Sequence, residues 1–203
     1  MILTGKSISQ IEEVKLALDK AFTIKDLGQL NYFLGIEVKR NAQGIFLSQR
    51  KYINDIITDC NMVDYIAAPA PLSAALKLST KVGDVLEDPD VCRRLVGRLL
   101  YLGITRPDLS YAVQHLSQFM HAPRSPHLRV VMHVVRYLKC TIDQGLFYSA
   151  NSNLKISAYS DSDWSACQFS NRSLSSYVVF LGSNLVSWKT KKQQTMSKSS
   201  TEA

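Results

Sequence analysis

The stretch Leu154-Lys-Ile-Ser-Ala-Tyr-Ser-Asp-Ser-Asp-Trp164 carries the pattern that constrains the fold most strongly. Apolar and polar residues alternate from Leu154 to Ala158, which predicts a half-buried β-strand with Leu154, Ile156 and Ala158 on its inner face. Asp161 and Asp163 follow, and a carboxylate at the end of a strand can serve as an oxygen ligand for Mg²⁺. The alternative is a solvated turn in which both aspartates face only water.

Two further strands are predicted after this stretch. Residues 174–181 are rich in apolar and β-branched side chains, and Gly182-Ser-Asn184 forms a tight turn into a strand over residues 185–189. The three strands together predict an antiparallel meander. Ser199-Ser-Thr-Glu202 has the spacing of a capping box, which predicts that a helix begins there.

The N-terminal third predicts a helix followed by a β-hairpin. Ser9 and Glu12 form a capping box for a helix that runs to about Phe22. Its apolar stripe consists of Ile11, Val14, Leu18 and Phe22. Residues 31–40 predict one strand and residues 45–48 a second, joined by a turn over residues 41–44, and a short helix is predicted over residues 49–60.

The middle of the chain predicts a linker and three helices. Pro69 and Pro71 disfavour helix within residues 64–90, which we interpret as an extended linker. The first helix starts at Asp90 and stops before Pro107, the second starts at Asp108 or Ser110, and the third starts at Pro126. Strands at both ends and helices between them predict an α+β fold.

The composition favours a polyanionic partner. The chain has 203 residues, a formal net charge of +7 and 46% hydrophobic residues, so it is a basic globular protein. Nucleic acid is the first candidate partner, and a solvated basic surface is the alternative. The candidate phosphate contacts lie on the first and third predicted helices and comprise Arg93, Arg94, Arg98, Arg136 and Lys139.

Several classes of protein are disfavoured by the sequence. The four cysteines form no Cys-x-x-Cys pair, so we expect reduced thiols rather than zinc or disulfides. The four histidines recur every six residues, about 600° apart on a helix, so neighbouring rings would not share a face. No apolar run reaches the roughly 18 residues of a membrane span, and no leader follows Met1. We expect an intracellular protein, cytoplasmic or nuclear, without a membrane partner.

Seven stretches in the same order resemble the Pol polyprotein of copia-type long-terminal-repeat retrotransposons, especially those of plants. They are Asp26-Leu-Gly-Gln-Leu-Asn-Tyr-Phe-Leu-Gly-Ile-Glu-Val38, Gly44-Ile-Phe-Leu-Ser-Gln-Arg-Lys-Tyr-Ile53, Arg93-Arg-Leu-Val-Gly-Arg-Leu-Leu-Tyr-Leu102, Thr105-Arg-Pro-Asp-Leu-Ser-Tyr-Ala-Val113, Arg136-Tyr-Leu-Lys139, Tyr159-Ser-Asp-Ser-Asp-Trp164 and Ser199-Ser-Thr-Glu-Ala203. None is decisive alone, but their shared order makes chance improbable.

The resemblance implies three parts and a larger parent protein. Residues 1–72 resemble the C-terminal palm and thumb of a reverse transcriptase, residues 73–150 a helical connection, and residues 151–203 the N-terminal half of a ribonuclease H domain. The parent would copy RNA into DNA and cleave RNA–DNA hybrids. In the family, the polymerase aspartates of a Tyr-x-Asp-Asp turn come directly before a segment like the one that starts at Met1. The chain alone is therefore not expected to polymerise.

The hairpin resembles the primer grip, which positions the primer end in this family. Phe33, Leu34, Gly35 and Glu37 fall on its matching positions. An apolar hairpin with a glycine that allows close approach can press on sugar and backbone. The alternative is that Phe33 and Leu34 are core residues of an ordinary hairpin.

The resemblance also implies metal-dependent hybrid cleavage in the parent, through two Mg²⁺ ions held by several carboxylates. Asp161 matches the first-strand aspartate, as metal ligand and catalytic residue, whereas Asp163, two residues further on and beyond the predicted strand, is the less favoured candidate. Glu202 has a capping position, and the glutamate that fits the metal better would follow Ala203. One carboxylate cannot hold two ions, so the chain alone is not expected to be an active nuclease.

Two other interpretations remain open at this stage. In the first, the chain is a non-catalytic, basic nucleic-acid-binding module; in the second, it is a translated remnant of a decayed element. Salt separates the binding module from the other two, because binding through phosphates weakens steeply as salt rises.

Overall fold

The computed structural model describes residues 1–73, 76–165, 172–196 and 199. Within these ranges the helices are α1 (Ile8–Phe22), α2 (Arg50–Asp59), α3 (Pro89–Leu102), α4 (Ser110–Ser117) and α5 (Ser125–Cys140), with a 3₁₀ turn at Pro107–Leu109. The strands are β1 (Tyr32–Phe33), β2 (Ile36–Asn41), β3 (Gly44–Ser48), β4 (Leu146–Ser149), β5 (Ile156–Asp163), β6 (Leu174–Leu181) and β7 (Asn184–Lys192). All strand pairs are antiparallel. The predicted α+β class is confirmed.

Helices α2 to α5 enclose the hydrophobic core. Helix α2 buries Ile53, Ile56 and Ile57, because residues three and four apart share one helix face. They pack with the buried side chains of α3, α4 and α5, among them Leu99 and Leu138. Complete burial of such a side chain contributes about 1.5–3 kcal/mol. The core therefore extends across residue 72, where the resemblance places the end of the first part.

The segment between α2 and α3 has neither helix nor strand in its described residues, as predicted for a linker. It is packed rather than free, since Ala68 and Leu78 are buried. The Arg124 guanidinium donates to the carbonyl oxygens of Thr80 and Gly83, both at 2.7 Å. The linker is thus held against the start of α5.

The first sheet has the order β1-β2-β3-β4. Strand β4 was not predicted from the sequence. Two glycines allow β3 and β4 to approach closely. A Cβ on Gly145 would lie 2.1 Å from the Leu47 carbonyl oxygen, and one on Gly44 would lie 2.0 Å from the Tyr148 carbonyl oxygen. Only residues without a side chain fit these two positions.

The prediction of one strand over residues 31–40 is wrong. The chain reverses at Leu34 and Gly35, where φ is +48° and +80°, and Phe33 pairs with Ile36. Two consecutive residues with positive φ are the hallmark of the tight type I′ hairpin turn. Strand β1 therefore folds back on β2, and the predicted hairpin of β2 and β3 follows it.

The second sheet has the order β5-β6-β7, so the predicted meander is confirmed. The predicted inner face of β5 is wrong, because Leu154 and Ile156 are 83% and 72% exposed. Strand β5 is an edge strand, and the sheet meets the helices through the opposite edge, β7. There the Trp188 indole N–H donates to the Gly103 carbonyl oxygen at 3.2 Å.

Helix α1 ends at Phe22 as predicted but begins earlier. Its N-cap is Ser7, whose hydroxyl accepts from the Gln10 N–H, so the predicted Ser9 cap is wrong. Glu12 pairs with Lys15 at 2.9 Å instead of closing a capping box. No residue of α1 is buried, and Phe22 is 76% exposed. The apolar stripe of α1 is thus only partly covered by the described residues.

The helix predicted from Ser199, with Glu202, lies outside the described residues apart from Ser199 itself. None of the helices in the described ranges combines the length and the apolar character that a membrane span requires.

Candidate functional site

The turn at Leu34 and Gly35 projects one apolar side chain outward. Leu34 is 70% exposed, whereas Phe33 and Gly35 are half-buried. The exposure of Leu34 excludes the alternative that it is a core residue of the hairpin. Gly35 has no side chain, and the Tyr101 ring lies on the side where its Cβ would point, 3.6 Å from that position. The turn therefore presents an apolar tip on its outer side.

Glu37 lies on β2 and connects the hairpin to α2. Its Oε1 accepts from the Lys51 backbone N–H at 2.9 Å. Lys51 is in the first turn of α2, where the backbone N–H groups lack helical partners and a carboxylate is favourable. Gln49 makes no side-chain cap there. Glu37 thus supplies the anion that the start of α2 needs.

Tyr101 holds the turn from α3. Its hydroxyl donates to the Leu34 carbonyl oxygen. Its ring meets the Tyr52 ring edge to face, with centroids 5.4 Å apart. Tyr101 has no role in the predictions from sequence, although it lies in the matching stretch that ends at Leu102. The feature of the sequence that could have indicated its role is that this tyrosine lies outside the apolar stripe of Leu95, Leu99 and Leu102.

Arg93 and Arg98 lie on α3 and are engaged inside the protein. The Arg93 guanidinium donates to Asp90 at 2.8 Å and to the carbonyl oxygens of Met120 and His121 at 2.8 and 2.9 Å. Arg98 donates to Asp59 at 2.7 Å. Burial opposes the charge of Arg98, but Asp59 and Tyr52 outweigh it and raise the pKa of the guanidinium. Both side chains therefore have structural partners.

The basic residues of α5 hold the segment after α2. Arg136 donates to the Ile66 carbonyl oxygen at 2.6 Å. Lys139 donates to the carbonyl oxygens of Val63 and Tyr65, the latter at 2.8 Å. Arg94 on α3 is exposed, and its side chain makes no hydrogen bond with any described residue. Of the five predicted phosphate contacts, Arg94 is thus the one with no internal partner in the described part of the chain.

An ion pair that the sequence patterns did not indicate joins the junction of α3 and α4 to α5, with Arg106 buried and Asp108 partly exposed. Arg106 is 1% exposed and donates to both carboxylate oxygens of Asp108, at 2.9 and 2.7 Å. It also donates to the Thr141 carbonyl and hydroxyl oxygens at 3.0 and 2.7 Å, and the Tyr137 hydroxyl donates to Asp108 at 2.9 Å. The feature of the sequence that could have indicated this ion pair is an arginine and an aspartate on either side of Pro107.

The carboxyl of Asp108 is stabilised as an anion. Burial alone would raise its pKa, but the Arg106 guanidinium and the Tyr137 hydroxyl outweigh burial and hold the pKa below its usual range. A carboxylate that accepts charge-assisted hydrogen bonds is favoured in its ionised form. This network therefore contributes to folding and is not arranged as an open reactive site.

His127 is fully buried near the start of α5. Its Nδ1 accepts from the Arg124 backbone N–H at 2.8 Å, and its ring stacks on Phe119 with centroids 4.3 Å apart. Burial lowers the pKa of this imidazole. A neutral ring is required, because protonated Nδ1 would lose its role as an acceptor.

Asp161 and Asp163 both lie within β5, which continues further than predicted. The alternative of a solvated turn is therefore wrong for their backbone. They are two residues apart and share one face of the strand, and both are exposed. Among the described residues no group of three histidine, cysteine, aspartate or glutamate side chains is close enough to hold a metal ion. The described carboxylates thus do not complete a divalent-metal site.

The class of protein follows from the first part of the chain. Residues 1–74 match the family model described as reverse transcriptase (RNA-dependent DNA polymerase). This stretch contains α1, the turn at Leu34 and Gly35, and α2. The candidate turn therefore belongs to a segment of the reverse transcriptase family.

Individual relatives extend the match over the whole chain. The retrovirus-related Pol polyprotein from transposon RE1 of Arabidopsis thaliana is 41% identical over 203 residues, which are 100% of this chain and 14% of that protein. An uncharacterized mitochondrial protein of the same plant is 42% identical over 100% of this chain and 84% of its own length. The Pol polyprotein from transposon TNT 1-94 of Nicotiana tabacum is 30% identical over 100% of this chain and 16% of that protein.

The chain belongs to the Pol polyproteins of plant retrotransposons, and the predicted family is confirmed. It spans 14% of the RE1 polyprotein, so it corresponds to a segment of such a protein. None of the solved structures matches the chain.

Proposed function

We propose that the chain acts as a segment of a copia-type Pol polyprotein that copies RNA into DNA and cleaves the RNA of RNA–DNA hybrids. The observation that carries this proposal is the alignment of all 203 residues with the RE1 polyprotein at 41% identity. The partners are a nucleic acid, an RNA–DNA hybrid first, and the remainder of the polyprotein. The compartment is intracellular, cytoplasmic or nuclear, without a membrane partner.

In this proposal the turn at Leu34 and Gly35 contacts the primer strand. The exposed Leu34 side chain packs on the sugar of the terminal nucleotide, and the bare backbone at Gly35 lets the strand approach. Phe33 supports the turn from its half-buried position. Glu37 fixes the distance between the hairpin and α2 through its bond to Lys51.

In this proposal β5, β6 and β7 begin a ribonuclease H-like sheet. Mg²⁺ would be bound in the parent by Asp161 with carboxylates from other parts of the polyprotein, and it would stabilise the attacking and leaving oxygens. The described residues alone have no complete set of ligands for this ion. The chain by itself is therefore assigned neither polymerase nor nuclease activity.

The positive charge supports binding of the polyanion. Arg94 is exposed and contacts phosphate directly in this proposal. Arg93, Arg98, Arg136 and Lys139 contribute through their charge, because much of their hydrogen-bonding capacity is used by internal partners. The second candidate, a non-catalytic nucleic-acid-binding module, is favoured by the formal net charge of +7. A translated remnant without function would bind nothing.

Binding of the chain to an RNA–DNA hybrid tests the proposal. Affinity should fall linearly with the logarithm of the salt concentration, and Arg94→Gln should reduce this slope by about one. A hybrid with an open primer 3′ end should bind more tightly than a hybrid closed by a loop at both ends. Equal affinity for the two would favour the general binding module. No binding at low salt would contradict both readings.

A further inference from the structure

The turn that presents Leu34 has an unfavourable backbone conformation. Leucine at φ +48° lies in the left-handed region, where a bulky side chain is a genuine outlier. Type I′ turns usually place asparagine or glycine there. Such a conformation persists only when surrounding contacts hold it, and it is found preferentially at functional sites. The turn therefore needs a contact that keeps Leu34 in place.

Tyr101 supplies this contact. Its hydroxyl donates to the carbonyl oxygen of Leu34, the residue with the unfavourable φ. A Cβ on Gly35 would lie 3.6 Å from Cε1 of the Tyr101 ring, so the ring covers the inner side of the turn. Among the described residues, no other hydrogen bond connects Leu34 or Gly35 to a part of the chain outside the hairpin.

The Tyr101 ring is itself held by the helical core. It contacts the Tyr52 ring on α2 at an interplanar angle of 78°. The Arg98 guanidinium lies over the other ring of this pair, 5.5 Å from the Tyr52 centroid, and is fixed by Asp59 at 2.7 Å. These contacts connect the turn through Tyr101 to both α2 and α3. A movement of α3 relative to α2 would therefore be passed on to the turn.

We infer that Tyr101 is the positioning residue of the Leu34–Gly35 turn, so that the helical connection sets the geometry with which the reverse transcriptase segment contacts a primer end. The inference rests on the proposed function for the contact with the primer. It goes beyond that function by assigning the control of this contact to α3, outside the segment that matches the reverse transcriptase family.

Tyr101→Phe tests the inference because it removes the hydroxyl and keeps the ring. Tyr111→Phe is the matched control, since the Tyr111 hydroxyl makes no hydrogen bond with any described residue. Amide hydrogen exchange at Ile36, which pairs with Phe33 across the turn, should become about tenfold faster in Tyr101→Phe, as expected for the loss of one hydrogen bond. Exchange in α5 should not change, which shows that the fold is intact. Unchanged exchange at the turn would overturn the inference and leave the proposed function untouched.

Binding provides the functional readout. The preference of the wild-type chain for a hybrid with an open primer 3′ end over a closed hybrid should fall by roughly three- to tenfold in Tyr101→Phe. Tyr111→Phe should keep the full preference. A changed exchange rate with an unchanged preference would overturn the positioning role. If the wild-type chain has no preference, the proposed function of the turn fails, which is a different result from unchanged exchange.

A double-mutant cycle with Leu34→Asn separates positioning from general stability. Asparagine tolerates the left-handed conformation, so the turn then depends less on the Tyr101 hydroxyl. Tyr101→Phe should accelerate turn exchange much less in the Leu34→Asn background than in the wild type. Equal acceleration in both backgrounds would mean that the two residues act independently and would overturn the inference.

Discussion

Asp108→Asn should destabilise the protein far more than the removal of an exposed ion pair of the same kind. The substitution removes the charge that faces the Arg106 guanidinium, and Arg106 is only 1% exposed. Removal of one partner from a buried pair leaves an uncompensated charge, and the usual cost is about 3–5 kcal/mol. Asparagine keeps one oxygen for a single guanidinium N–H, and Thr141 still accepts from Arg106. The Asp108 side chain is 32% exposed, so we expect a loss between the values for exposed and buried pairs, about 2 kcal/mol in the free energy of unfolding.

The assay is urea denaturation at pH 7, with the free energy obtained by linear extrapolation. Asp90→Asn is the matched control, because Asp90 pairs with Arg93 at 2.8 Å but its side chain is 74% exposed. Exposed pairs contribute about 0–1 kcal/mol, so this variant should be close to the wild type. Equal losses in the two variants would refute the reasoning that burial gives the Arg106–Asp108 pair its weight.

The pH dependence gives a second test of the same pair. The folded-state pKa of Asp108 is lowered, so its stabilisation is fully present above the unfolded-state pKa and is lost as the pH falls through the folded-state pKa. The difference between wild type and Asp108→Asn should therefore shrink as the pH is lowered below about 4. A difference that stays constant down to this range would contradict the assigned cause of the pKa shift.

Three further predictions concern other parts of the molecule. Gly145→Ala should destabilise the protein by about 1–3 kcal/mol in urea denaturation, because its Cβ would meet the Leu47 carbonyl oxygen. The control Gly97→Ala has open space around its Cβ and should be neutral or stabilising. Equal effects of the two substitutions would contradict the close approach of β3 and β4. Burial lowers the folded-state pKa of His127, so the unfolded chain binds a proton more readily and stability should fall as the pH decreases below about 6.5. In a plot of the urea midpoint against pH, His127→Gln should flatten the slope in this range. A slope identical to that of the wild type would argue against burial of a neutral ring. In a complete parent polyprotein, Asp161→Asn should abolish hybrid cleavage and leave polymerisation intact; cleavage retained there would rule out Asp161 as a metal ligand.

Local signals explain why the helical part of the fold was predictable. Pro107 and Pro126 mark where helices stop and start, and apolar residues three and four apart define the buried faces of α3 and α5. The meander was predictable for a similar reason, because Gly182 and Asn184 form a turn between two β-rich segments. In each case the information lies within a few residues of the element that it defines.

Strand β4 and the break between β1 and β2 could not be predicted in this way. Residues 146–149 form a strand only because β3 lies beside them, and nothing in their own pattern requires it. Leu34 is not a turn-forming residue, and its conformation depends on Tyr101 from another helix. The exposed face of β5 is a related case, since alternation predicts a face but not whether another element covers it.

In the candidate site, too, local features were predictable from the sequence and contacts between distant segments were not. The resemblance pointed to Leu34 and Gly35 by position, but the role of Tyr101 required the packing of α3 against the hairpin. Positive charge was visible in the sequence, whereas the carbonyl partners of Arg93 and Arg136 were not, because such partners come from distant segments. The assignment of Asp161 as a metal ligand remains a prediction.

The pairing of Gly44 with Ser149 has a consequence for biosynthesis. A ribosome releases the β2–β3 hairpin long before it has made β4, and the four core helices are translated in between. During this interval β3 has an open edge that can pair with other nascent chains. The four-stranded sheet is completed only when the last helix has emerged. Premature termination or proteolysis anywhere between β3 and β4 should therefore yield products that aggregate instead of two separately folded halves.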